Sequence, residues 1–347
     1  MPPPTARLRL SQRAPRRQRA RGGTVQIVAT PGSGQGRALA TARRLARLLE
    51  RRGYVVDVRS FADLTALTRW AEQCPPHASH VVCIGGDATL SAAAVAAIRR
   101  RVPFVPVPNG FGNVFAQVFG YSRRPKAIVY LLDEGEICYV DVGVAKWQGH
   151  DEIFLSHRSY GFLEQVQQVA ERGRKLPRRH LFRYLWYCGV ANRLLLRTRL
   201  APFRVEIDGA LVADDAALVT VANVETYRGF LTLTPAASPL DGLFDVFLVP
   251  RDSRIGLMSR LIRLLLHLPG RWRGVGLYRG RRVRVTTPQR REELVVRPSA
   301  LPLLVRQGAL EAWRRRQPDV RTEILQRKTR WMRASGTSMV RSEARGA

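Results

Sequence analysis

The chain has 347 residues, 45% of them hydrophobic, and is long enough to bury two cores. Its formal charge is +31, carried by 54 arginines and four lysines against 27 acids. No run reaches the roughly 18 apolar residues of a membrane-spanning helix; the four cysteines (Cys74, Cys83, Cys138, Cys188) lack metal-ligand or Cys-x-x-Cys spacing and fit a reduced cytosolic compartment.

Residues 1–21 hold seven arginines and no acid, and they lack the apolar core of a secretory signal. Residues 1–23 read as a basic, disordered leader, with a transit peptide as the other reading. A nucleotide-binding α/β domain is expected over 24–140. Residues 25–29 are a short β-branched apolar run, hence a strand, followed by a glycine-rich loop at 30–36. Leu39, Ala42, Leu45, Leu48 and Leu49 then recur at helical spacing, and Gly53 ends that helix. A strand at 54–58, a helix at 62–72 and a strand at 81–84 follow. After Gly85-Gly86-Asp87-Ala88-Thr89 comes an alanine-rich helix at 90–101. A fourth strand at 104–107 leads through Pro108-Asn109-Gly110-Phe111-Gly112-Asn113 into a further helix. Strand, glycine loop and helix repeat, which is the pattern of a doubly wound parallel sheet. Such sheets bind ligands at the carboxyl ends of their strands, so the glycine loops are expected to converge on one site.

Beyond residue 140 the pattern changes. Strand-like segments at 136–142, 203–207, 216–221, 244–249 and 283–285, with turns at Asp208-Gly209 and Asp241-Gly242, predict a mainly antiparallel β domain over 141–311. A short helix is expected at 162–170. The basic amphipathic stretch at 254–268 contains Arg260 and Arg263 and reads as a helix packed on the core in preference to one inserted in a membrane. The tail, 312–347, is expected to be basic and largely disordered, with ten basic residues against three acidic ones from Trp313 onward. Arginine is spread along the whole chain, so part of the excess is compositional. The remaining positive field should still draw the protein to anionic lipid.

A glycine loop between a strand and a helix lets backbone amides approach phosphate oxygens, and the helix N-terminus adds partial positive charge. The first loop, Gly32-Ser33-Gly34-Gln35-Gly36-Arg37, lacks the Lys-Ser/Thr pair of a Walker A loop and the Gly-x-Gly-x-x-Gly spacing of a dinucleotide fingerprint. In the second loop Gly85 and Gly86 permit a tight turn. Asp87 is a carboxylate beside the expected phosphates, where it can act through Mg²⁺ or take a proton from an incoming hydroxyl. Thr89 can cap the next helix or hydrogen-bond a phosphate.

Val82-Cys83-Ile84-Gly85-Gly86-Asp87-Ala88-Thr89 resembles the Gly-Gly-Asp-Gly-Thr signature of diacylglycerol kinase- and sphingosine kinase-like lipid kinases, a signature that NAD kinases and phosphofructokinases share. Thr30-Pro31-Gly32-Ser33-Gly34 is similar to the lipid kinases' Asn-Pro-x-Ser-Gly loop, and the 106–113 segment to their Pro-x-Gly-Thr-x-Asn-Asp loop. Val140-Asp141-Val142-Gly143, Ser159-Tyr160-Gly161-Phe162, Val221-Ala222-Asn223 and Leu240-Asp241-Gly242-Leu243-Phe244-Asp245-Val246 also fit, so the resemblance spans 24 to 310.

The resemblance implies an N-terminal doubly wound α/β domain, a C-terminal antiparallel β-sandwich and a cleft between them. It implies transfer of the γ-phosphoryl group of ATP to a lipid hydroxyl on a diacylglycerol-like substrate, with Mg²⁺. By the same resemblance Ser33, Gly34, Gly85, Gly86, Thr89, Asn109, Gly110 and Asn113 line the nucleotide site. Asp87 and Asp241 are the expected catalytic acids, and Asp87 and Asp245 the expected metal ligands. The implied setting is cytoplasmic and peripheral to the membrane. The expected partner is a lipid substrate at an anionic surface, with a homodimer left open and no specific nucleic acid. Two other readings remain: a divergent member that binds nucleotide or lipid in a regulatory role with weak or no turnover, and a kinase for a soluble substrate.

The sequence departs from the family pattern at four places. Thr30 stands for the first-loop Asn, Ala88 for the second signature glycine, and Phe111-Gly112-Asn113-Val114 for Thr-x-Asn-Asp. The late Asp-Gly-Glu is missing. Glu292 and Glu293 lie in its region, but their flanking arginines read as partners in a surface ion pair.

Overall fold

The computed structural model describes residues 23–30, 36–110, 112–161, 202–225, 233–265, 275–287 and 290–309, with isolated positions between 164 and 193 and at 311. The basic leader, Ser33 and Gly34 of the first glycine loop, Phe111, most of the helix expected at 162–170 and the basic tail lie outside the described residues.

The first half alternates strand and helix as its apolar periodicity dictates. The strands are β1 (Thr24–Ala29), β2 (Val55–Ser60), β3 (Ala78–Gly85) and β4 (Phe104–Pro108), all parallel, in the spatial order β2-β1-β3-β4. Val81, Val82, Cys83 and Ile84 of β3 are all fully buried, as expected of a strand covered on both faces. On one face α1 (Arg37–Glu50) lies beside α5 (Pro125–Glu134); Leu45 and Leu49 of α1 join Ile27, Ile84, Val107 and Ile128 in one core. On the other, α2 (Leu64–Glu72) packs against α3 (Asp87–Arg100). The short α4 (Val114–Val118) follows β4.

The second half is antiparallel. The long strand β5 (Glu136–Trp147) turns into β6 (His150–Phe154), and β7 (His157–Gly161) pairs with β9 (Ala210–Ala222). β8 (Phe203–Ile207), β10 (Phe244–Pro250), β11 (Gly276–Gly280), β12 (Arg282–Thr286) and β13 (Arg291–Val305) complete the order β11-β10-β9-β8-β12-β13, and α6 (Arg254–Leu265) follows β10. The expected Asp208-Gly209 turn joins β8 to β9 with both residues at positive φ, 50° and 88°, which matches the twist of a tight hairpin. Alternate residues of these strands, among them Val205, Ile207, Val219, Val221, Val246, Val283 and Val285, build a second core, with Phe154 stacked on Phe244 at 5.5 Å.

The halves are joined by β5 and by β13 (Arg291–Val305), which pair with each other along nearly their whole length. Leu303 of β13 also pairs, in parallel, with Phe104 of β4 and so adds the ribbon to the first sheet. The register shifts between Arg297 and Leu301, where Ser299 adopts φ 51°. Together these elements give the expected fold class: an α/β parallel sheet with helices on both faces, followed by an antiparallel β unit. Among the described residues no helix is long and apolar enough to cross a membrane.

Candidate active site

The ends of β1, β3 and β4 meet, as the parallel topology requires. The Thr30 and Thr89 hydroxyls, both buried, lie 3.3 Å apart and tie the end of β1 to the first turn of α3. The Asn109 amide donates to the Gly85 carbonyl at 2.9 Å. At their closest the two loops touch backbone to backbone, and a Cβ on Gly110 would overlap the Cα of Gly86. Glycine is required at Gly110 for this close approach, although its φ is not positive.

The signature segment is less of a loop than its sequence suggests. β3 runs through Gly85 and α3 begins at Asp87, so Gly86 alone, as N-cap, separates them. An acid at the first helical position is favoured by the helix dipole. Ala88 is therefore a helical residue of the first turn; its φ is not positive, and it is exposed. The departure from glycine there is absorbed by the helix without left-handed backbone.

Asp87 has a defined structural task. Its two carboxylate oxygens accept the Val114 and Phe115 amides, each at 3.1 Å. These are the first two amides of α4, so the first residue of α3 caps the N-terminus of α4. Asn113 holds the same corner from within. At φ 51° and only 1% exposed, it accepts from the Gly110 amide through Oδ1 at 2.6 Å and donates through Nδ2 to the Gly110 carbonyl at 2.7 Å. Val114 stands where the signature has a second acid, and Asp87 supplies a carboxylate to that corner from across the site.

A chain of hydrogen bonds leaves this corner for the antiparallel half. The Ser91 hydroxyl donates to the Asp87 carbonyl at 2.9 Å and accepts the Leu155 amide at 3.3 Å. Asn223, fully buried, donates through Nδ2 to the carbonyls of Leu155 and Asp141, each at 2.9 Å. The buried Asp141 carboxylate accepts the amides of Gly242 and Ser299, each at 2.7 Å. Burial pushes its pKa up, the two amides pull it down, and Asp241 nearby adds to the rise. Asp241 and Asp245 both pair with Arg279.

The structure thus gathers Gly85, Gly86, Asp87, Thr89, Asn109, Gly110 and Asn113 into one corner, and sets Asp241 and Asp245 together on the other half. Among the described residues no group of three or more His, Cys, Asp or Glu side chains is placed to hold a metal ion, so the acids present do not form a protein cage for Mg²⁺. Thr30, Asp141, Asn223 and Arg279 are additions to the site residues read from sequence. The first three stand in segments that carry the family resemblance, whereas nothing in the pattern around Arg279 signals it.

The region where the late Asp-Gly-Glu is missing is the short connection between β12 and β13. β12 and β13 join through a tight turn in which the Thr287 amide donates to the Arg290 carbonyl at 2.7 Å, with Thr286 already paired to Arg291. Glu292, expected at the surface, is instead 1% exposed, with Arg158 and Arg290 nitrogens each 3.0 Å from its oxygens. Its oxygens lie off the N–H directions, so the contacts are charge pairing more than aligned hydrogen bonds. Arg290 also covers the Trp147 ring at 4.5 Å. The correction follows from the fold: β7 brings Arg158 over a strand position that local sequence presents as solvated.

Comparisons with known proteins agree with this architecture. Residues 24–145 match the diacylglycerol kinase catalytic domain, and residues 159–298 match the YegS C-terminal NAD kinase beta sandwich-like domain. Curated diacylglycerol kinases from two strains of Mycobacterium tuberculosis, CDC 1551 / Oshkosh and ATCC 25618 / H37Rv, are each 29% identical over 246 residues, covering 70% of this chain and 77% of theirs. A crystal structure of a diacylglycerol kinase from Bacillus anthracis str. Sterne aligns with a TM-score of 0.60 at 15% identity, covering 82% of this chain and 98% of that one. At that identity the likeness speaks for the fold alone.

Proposed function

Since this chain belongs to the diacylglycerol kinase family, we propose that it transfers the γ-phosphoryl group of ATP to the hydroxyl of a diacylglycerol-like lipid. The observation that carries the reading is the close backbone contact between Gly86 and Gly110, with no side chain between the two loops where phosphates would lie. α3 begins directly after Gly86, and the N-terminus of a helix favours anionic groups. Transfer of this kind needs positioning and charge neutralisation more than covalent help from the protein.

On this reading the work of the described residues is mostly orientation. Thr30 and Thr89 fix the end of β1 against α3, Asn113 sets the Gly110 backbone, and Asp87 holds the α4 corner in place. Phosphate oxygens of the nucleotide would hold any Mg²⁺ that takes part, with few carboxylates from the protein, and the ion would supply charge neutralisation. The lipid would be met at an anionic membrane surface, to which a net charge of +31 is attracted.

A second reading is favoured by one observation. Both Asp87 oxygens are engaged by α4 amides, and the tight β12–β13 turn leaves out the late acid. A member that binds nucleotide or lipid in a regulatory role, with little or no turnover, would have this arrangement. Incubation with γ-labelled ATP and a lipid panel, beside ATP binding by calorimetry, separates the two. Labelled lipid supports the kinase; binding without label supports the regulatory protein; label only on water-soluble alcohols overturns the lipid assignment.

A further inference from the structure

Asp241 and Asp245 are acids that the sequence pattern offers to a divalent cation, but each already faces a positive charge belonging to the chain. Arg279 lies on β11 directly opposite Asp245 on β10, so strand register, not a loop, delivers its guanidinium. Its Nε lies 3.3 Å from Oδ2 of Asp245, and its Nη2 contacts Oδ2 of Asp241. The second Asp241 oxygen accepts the Leu243 amide at 3.1 Å. The side chains of Asp245 and Asp241 are only 10% and 19% exposed, so two negative charges sit side by side with limited access to water. Burial alone would pull the Arg279 pKa down, but Asp245 and Asp241 outweigh it and hold it above the ordinary value.

We propose that Arg279 is the resident counter-cation of the 241–245 segment, holding the place of a divalent metal, so that these acids bind no metal ion in the native protein. A guanidinium suits this task, because its planar fork can donate to two carboxylates at once without the dehydration that Mg²⁺ resists. The shape of the turn after Asp241, which the Asp141 carboxylate grips at Gly242, then depends on an internal ion pair and not on the divalent-ion concentration. This goes beyond the phosphoryl-transfer reading and does not rest on it.

The test uses folding alone. Melting temperatures of the full chain, R279K, R279Q, D245N and R279Q/D245N are measured in EDTA, then in MgCl2 and CaCl2 against NaCl of matched ionic strength. The native protein should melt at the same temperature in all of them. R279Q should melt lower in EDTA by roughly 2–6 °C, with R279K between, since each kcal/mol lost moves a chain of this size by a few degrees. Mg²⁺ or Ca²⁺ should restore much of the R279Q loss, and D245N in the same chain should abolish that recovery. A divalent-ion response of the native protein that D245N removes would overturn the proposal; a response that survives D245N lies elsewhere and leaves it standing. An R279Q melt equal to native, or a loss that neither ion recovers, also overturns it. Should R279Q not fold, calorimetric titration of the native protein and D245N with MgCl2 and CaCl2 decides the same point.

Discussion

Replacing Asp87 separates a structural from a chemical role at the centre of the site. Its carboxylate accepts the Val114 and Phe115 amides at 3.1 Å. Removing a helix cap costs about 0.5–2 kcal/mol. Loss of a negative charge at a helix N-terminus adds about 0.3–1 kcal/mol. Val114, Phe115 and Ala116 are all buried, so solvent cannot readily replace the lost acceptor. Asp87→Ala should therefore lower stability by about 2–3 kcal/mol. Asp87→Asn keeps one acceptor but turns an NH2 group toward a backbone N–H, and should lose about 1–2 kcal/mol. Urea unfolding at neutral pH measures both, and hydrogen exchange should show the Val114 and Phe115 amides losing protection first. An Asp87→Ala protein within about 0.5 kcal/mol of native, the range of an ordinary surface substitution, would refute the cap. If Asp87→Asn keeps ATP affinity but loses turnover, the carboxylate has a chemical role as well. If affinity and stability fall together, its role is positional.

Three further outcomes are expected. Gly110→Ala should be destabilised by about 1–3 kcal/mol and lose nucleotide binding, because the methyl group meets the Gly86 backbone and one loop must move; unchanged binding by calorimetry would contradict that contact. Ala88→Gly should lower the urea-derived stability by about 0.5–1 kcal/mol and leave binding intact, since position 88 is an exposed first-turn helical residue; a gain in binding would show that the methyl group obstructs the site. Asp141→Asn should change the pH dependence of stability. Burial raises the Asp141 carboxyl above its ordinary 3.8, so its favourable contribution is full below that value and is lost as pH rises through the folded value. The native-minus-variant difference in unfolding free energy should shrink from acid toward neutral pH, and a difference that grows with pH would reverse the assignment.

The parallel half was legible because its strands and helices carry their own periodicity. Leu45 and Leu49 announce the buried face of α1, and the run Val81 to Ile84 announces a strand covered on both sides. The polar strands β6 and β7 were missed as strands, since His150, Asp151, Glu152, His157 and Arg158 earn their extended form from pairing with β5 and β9, not from composition. The meeting of the Gly86 and Gly110 loops followed from topology. What lay beyond local sequence was the partner across space: the amides that engage Asp87, the arginine opposite Asp245, and the burial of Glu292 beneath Arg158.

Among the described residues the chain passes between its parallel and antiparallel halves through β5 and β13, and these two segments are bonded to each other. Any opening or closing of the halves must therefore flex a two-stranded ribbon, a stiffer element than a single linker. The register shift between Arg297 and Leu301 interrupts its ladder, and the Asp141 carboxylate is fastened there, to the Ser299 amide on one side and to Gly242 on the other. The crossing is riveted where its ladder is interrupted. A crossing jointed in this way ties the 241–245 turn to the register of β13, so any movement of one half against the other must carry or break the two amide contacts of Asp141.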